Sequence, residues 1–187
     1  MKLKMEQFRL VSRMLEKMHK TSRIGENKKF IQHGTTSVYT HCRNVAFMSL
    51  KLARKFHVKV DSSSMVRGAL LHDYFLYDWH DPEKCVKWHG FTHPKIALEN
   101  ALKVYDLNDI EKDVIERHMF PLTIKPPKTK EGFLVSIADK LCGIYETFKW
   151  NENHYKKRLH LVEKFHKRNT MRALKSGFTL EPKPSAD

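Results

Sequence analysis

Glycine, proline and cysteine are all sparse: seven, seven and three in 187 residues. So few glycines and prolines exclude a collagen-like or low-complexity chain. Cys42, Cys85 and Cys142 are odd in number and form no C-x-x-C pair. That speaks against a disulfide framework and for a reducing, cytoplasmic setting. No apolar run approaches the length of a bilayer-spanning helix, so no membrane span is expected. The first residues, Met1 to Arg9, carry charges where a secretory signal is apolar. Acidic residues are short as well: 21 Asp and Glu against 35 Lys and Arg, a formal charge of +14. Such an excess suits a nucleic acid or a small phosphorylated substrate, and alone does not choose between them.

The hydrophobic fraction is 41%, and a chain this long buries roughly 70% of its unfolded surface, so no structural metal is needed merely to fold. Strand-period alternation is missing, which predicts an all-α, compact multi-helix domain. Phe8, Val11, Leu15 and Met18 give helical spacing over 3–20. Thr36 or Ser37 can cap a second helix carrying Val38, Val45, Leu52 and Phe56. Asp61-Ser-Ser-Ser64 opens a third, running through Leu70 and Leu71 to His72-Asp73. Residues 74–94 read as an irregular aromatic connection, followed by a helix from Lys95 to Val104. Asn108 or Asp109 can cap the next, and 131–149 form an apolar helix with Leu134, Ile137, Ala138, Leu141, Ile144, Tyr145 and Phe148. A basic helix is expected at about 153–175, because Lys149 to Lys175 holds nine Lys or Arg and two Glu. One domain over 1–176 with a tail at 177–187 completes the expected organisation.

The placement of the 12 histidines carries most of the functional information. His72-Asp73 follows the apolar run Gly68-Ala-Leu-Leu71, and a charged Asp there is costly to bury unless paired or bound to a metal. His41, His118 and Asp139 fall on other helices or their ends, and His89 and His93 lie in the aromatic stretch or at the next helix start. Singly, His41, His93 and His118 read as ordinary core or surface residues, whereas Asp139 and the His72-Asp73 pair already point to function. Together, imidazoles and carboxylates from facing helices suit Zn, Fe, Mn or Ni better than Mg or Ca. Cys85, His89 and His93 are spaced by four, but no fourth ligand is near enough for a zinc site.

The order His41, His72-Asp73, His93, His118, Asp139 resembles the HD-domain superfamily of metal-dependent phosphohydrolases over about residues 33–148. The surrounding strings resemble it too: His41-Cys-Arg-Asn-Val-Ala-Phe-Met-Ser-Leu-Lys-Leu-Ala53, Gly68-Ala-Leu-Leu-His-Asp73, His93-Pro-Lys-Ile-Ala-Leu-Glu-Asn-Ala101 and Ile137-Ala-Asp-Lys-Leu141. Trp88-His-Gly-Phe-Thr-His-Pro94 and Arg117-His-Met-Phe-Pro-Leu122 are similar to a bacterial branch of it.

The resemblance implies a binuclear centre of Fe, Mn or Zn. His41, His72, Asp73 and Asp139 would hold one ion, and His93 and His118 a second, with Asp73 bridging. The nucleophile would be a water whose pKa the two ions lower, acting on a phosphomonoester or phosphodiester of a nucleotide or other small molecule. Many members carry Lys three residues after the Asp, where this chain has Leu76. Cationic help is then expected from Arg43, Arg67, Lys140 or His80. His80 is the candidate proton donor, Lys140 a catalytic candidate beside Asp73, and Arg43, Arg67, His33 and His89 are candidate substrate-binding groups. Two alternatives stay open: an HD-fold di-iron oxygenase, and a basic nucleic-acid-binding module with a non-catalytic metal site. The second is disfavoured because no base-reading motif accompanies the charge.

Overall fold

The structure is a computed structural model and describes residues 2–81, 83 and 86–149. Helix α1 (Lys2–Thr21) leads through a 3₁₀ turn (Ile24–Lys28) into a hairpin of β1 (Ile31–His33) and β2 (Thr36–Ser37). Helices α2 (Val38–Lys55), α3 (Ser62–Leu71), α4 (His89–Leu102) and α5 (Asp109–Arg117) follow, and α6 spans 130–149. The architecture is a helical bundle, and no described helix is long and apolar enough to cross a membrane. The expected basic helix at 153–175, the tail at 177–187 and Cys85 lie outside the described residues.

Short-range chemistry sets the helix starts. Ser37 Oγ accepts the Thr40 N–H at the head of α2. Asp61 accepts the Ser63 and Ser64 N–H groups at the head of α3. Asn108 and Glu111 form a reciprocal capping box on α5. Each cap contributes about 1 kcal/mol by satisfying donors that the first turn leaves open.

Helix α3 is the hub and packs against α1, α2, α4 and α5. Its Met65, Val66, Ala69, Leu70 and Leu71 are fully buried, which is why this stretch reads as a continuous apolar run. Gly68 is required by the close approach of α5, because a Cβ there would lie 2.8 Å from Val114. Two buried carboxylates lock α6 in place. Glu131 accepts the Asp61 N–H, and Asp113 accepts from the N–H groups of Lys128 and Thr129 and from the Thr129 hydroxyl.

Several expectations are corrected. A two-stranded hairpin exists although no sheet was expected, since Gly34 at φ 59° permits a tight turn between very short strands. Helix α4 starts at His89 rather than Lys95, because the Trp88 carbonyl already accepts the Phe91 and Thr92 N–H groups. Pro94 therefore lies inside the helix, where its missing N–H forfeits one bond without ending it. Val104 falls beyond the helix end and is exposed, and Phe56, expected on the buried face of α2, is its exposed C-cap. On α6, Leu134, Val135, Ala138 and Cys142 join the core. Ile137, Leu141, Ile144, Tyr145 and Phe148 are instead exposed to solvent or to an open cavity.

Candidate metal centre

Five of the six expected ligands sit on or at the end of α2 to α5. His41 is in the first turns of α2, His72 is the C-cap of α3 with Asp73 directly after it, His93 is on α4, and His118 caps α5. Asp139 comes from α6. All six are buried, Asp139 at 9% exposure and the others at 3% or less.

The two oxygens of Asp73 face different partners. Oδ2 lies 3.3 Å from His72 Nε2 and 3.9 Å from His41 Nε2. Oδ1 lies 3.2 Å from His93 Nε2 and 3.6 Å from His118 Nε2. Asp139 Oδ1 completes the first group, 2.9 Å from His41 Nε2 and 3.7 Å from His72 Nε2. Two sets of candidate ligand atoms result, His41–His72–Asp139 and Asp73–His93–His118. Cys42 brings its sulfur near His72 and Asp73, which the sequence did not suggest.

Hydrogen bonding decides what these atoms can do. His72, His93 and His118 direct Nδ1 to the carbonyls of Ala69, His89 and Ile115 at 2.8–2.9 Å. A carbonyl only accepts, so each Nδ1 carries the proton, and in the neutral ring Nε2 presents a lone pair. Yet the Nε2 atoms of His93 and His118 lie 2.9 Å apart, and both face Asp73 Oδ1. Lone pairs converging in this way repel unless a proton or a metal ion sits among them. His72 Nε2 and Asp73 Oδ1 are also buried without a formed hydrogen bond, the condition of groups awaiting a ligand. The donor set, nitrogen and carboxylate oxygen in two groups about one shared carboxylate, fits a pair of divalent transition ions.

Charge within the cluster follows from proximity. Burial disfavours a charged His41, but its bonds to Asp139 and Glu146 outweigh this and hold its pKa up, at about 10. His72 is buried too, and Asp73 beside it raises its pKa well above the ordinary value. Burial would raise Asp73 and Asp139, yet the neighbouring histidines hold both well below the usual carboxylate range. His118 is driven well down by burial and by His72 and His93, so it stays neutral. Without metal, protons on His41 and His72 face the carboxylates of Asp73, Asp139 and Glu146.

A cavity of about 560 Å³ opens onto this cluster. Its walls include Trp79, Met119, Ile144 and Phe148 together with Gln32, His33, His89 and Lys140. Lys140 Nζ donates to Asp139 Oδ2 at 3.0 Å and to the His118 carbonyl. His33 sits edge-on to His41 with ring centroids 5.3 Å apart. His89 stacks on Trp79 and His93 and hydrogen-bonds Tyr77 at 2.7 Å. Burial and the neighbouring histidines keep His33 and His89 neutral, the latter at about 4.

The other candidates are placed elsewhere. Arg43 lines a separate groove beside Phe8 and Phe47, and Arg67 pairs with Glu111 and lies over the Tyr105 ring. His80 is half exposed, 3.4 Å from Asp78 and against the Trp79 ring, and is not among the residues lining the cavity. Leu76 has a left-handed backbone at φ 62°.

Sequence reasoning missed three groups that hold the cluster. Gln32 donates to Asp73 Oδ2 at 2.8 Å, Asn27 donates to the Asp73 carbonyl, and Glu146 contacts His41 Nδ1 at 2.8 Å. The hairpin supplies Gln32, and only a fold that brings β1 over the end of α3 reveals it.

Comparison with curated proteins and with solved structures finds no match. The model of the HD domain matches residues 38–144, a span running from the first turn of α2 into α6 and enclosing all six clustered residues. With this match over more than half of its length, the chain belongs to the HD-domain family.

Proposed function

We propose that this protein is a metal-dependent phosphohydrolase, with His41, His72, Asp73, His93, His118 and Asp139 holding two divalent ions, Fe, Mn or Zn. The observation that carries the reading is the division of four imidazole Nε2 atoms into two groups by the two oxygens of Asp73. Bound ions supply Lewis acidity toward a phosphoryl oxygen and lower the pKa of an attacking water.

The protein's own residues do the rest. Gln32 and Asn27 fix Asp73 so that its oxygens face apart. Lys140 orients Asp139 and is the one Lys or Arg lining the cavity among the described residues, which assigns most of the phosphoryl charge balance to the ions. Trp79, Met119, Ile144 and Phe148 form an apolar wall for the body of the substrate, and neutral His33 and His89 offer ring nitrogens to its polar atoms. About 560 Å³ accommodates a small phosphoester of nucleotide size.

The test uses the full chain loaded separately with Mn²⁺, Fe²⁺ and Zn²⁺, without oxygen. Phosphate release is measured from aryl phosphates, a bis-aryl phosphate and nucleoside monophosphates. Release by wild type and its reduction to background in Asp73→Asn is the expected result. No hydrolysis of any phosphoester with any of these metals would sink the proposal.

A further inference from the structure

Three of the four clustered histidines orient themselves on the main chain. His72, His93 and His118 each direct Nδ1 to a carbonyl three or four residues earlier. His41 does not. Its Nδ1 meets Glu146 Oε2 at 2.8 Å, while its Nε2 meets Asp139 Oδ1 at 2.9 Å. Positions 139 and 146 are two helical turns apart on α6, so one helix face holds both ends of this ring. Glu146 is 4% exposed, and its other oxygen accepts from Asn44 Nδ2 at 2.8 Å. Asn44 stands one turn along α2 from His41, which leaves both carboxylate oxygens occupied.

A buried carboxylate is costly unless its partners need it. This one differs from the three backbone carbonyls by carrying a full negative charge. It accepts the Nδ1 proton, fixes the tautomer that presents Nε2 to the centre, and makes the ring a better electron-pair donor. We propose that Glu146 is the positioning residue of His41 and sets the affinity of the half of the site formed by His41, His72 and Asp139. The inference rests on the two-ion reading above. The other half, built on His93 and His118, has no carboxylate at Nδ1 and is predicted to be indifferent to Glu146.

The test is Mn²⁺ titration of metal-free full-length protein, followed by calorimetry and by the electron paramagnetic resonance of free Mn²⁺. Wild type, Glu146→Gln and Asn44→Ala are compared. Gln keeps the size of Glu146 and removes its charge. Wild type is expected to bind two ions. Glu146→Gln is expected to keep one at unchanged affinity and to weaken the other about 10- to 100-fold, with loss of the spin-coupled signal of adjacent ions. Asn44→Ala is expected to weaken the same ion by less. Wild-type affinity at both positions in Glu146→Gln would overturn the inference alone, and so would equal weakening of both ions, the mark of a merely structural residue. If Glu146→Gln does not fold, unchanged binding by Asn44→Ala overturns it. No Mn²⁺ binding by wild type would overturn the two-ion reading and the inference with it.

Discussion

Asp73 organises the buried cluster because its two oxygens face separate pairs of histidines. Three neighbours support that arrangement from outside: Gln32 on the carboxylate, Asn27 on the carbonyl and Glu146 through His41. His89 contributes differently. It lines the cavity as a neutral ring, its pKa pushed down to about 4 by burial and by His93. The unfolded chain takes up this proton near the ordinary value of about 6.5, whereas the folded one resists until about 4. The folded state thus binds fewer protons, and its stability falls as the pH drops from about 6.5 toward 4. Urea unfolding of metal-free wild type and His89→Gln between pH 7 and pH 4 checks this. Wild type should lose stability faster than the variant on the acid side, and parallel curves would contradict the assignment.

At the scale of elements, the centre depends on how tightly α3 sits among its neighbours. Gly68 allows α5 to approach until a Cβ would meet Val114 at 2.8 Å. Gly68→Ala is therefore expected to cost about 1–3 kcal/mol by overpacking, seen as a lower melting temperature with metal-free protein. Because α5 carries His118 at its end, the same change should also weaken metal binding. A melting temperature equal to wild type would show that the α3–α5 contact is not tight. The starts of α2, α3 and α5 were legible in the sequence because capping is local, and Ser37, Asp61 and Asn108 act within three residues of themselves. The start of α4 was not. Residues 74–94 read as an irregular connection, while the deciding contacts are backbone bonds to Trp88, whose φ of 61° no sequence pattern announces. That difference moves His89 from a loop onto the helix face it shares with His93. Gln32 and Glu146 were hidden for another reason: both look like solvent-facing polar residues until partners 41 and 105 positions away arrive.

At the scale of the whole molecule, the chain carries a formal charge of +14, and the described residues bring little of it to the cavity. Among the described residues Lys140 is the one Lys or Arg lining it, and Arg43 and Arg67 lie elsewhere. The groups that line the cavity are thus those of the buried cluster and its aromatic and apolar walls. The six clustered residues were legible because their order and flanking strings follow the HD pattern, and the fold gathers them from five helices and their ends. The central claim is that the cluster holds two ions, one on each side of Asp73. Elemental analysis of protein loaded with Mn²⁺ and passed through a desalting column tests it directly, with His118→Ala alongside wild type. The account predicts two ions per chain in wild type and one in the variant; one ion per chain in both would contradict it.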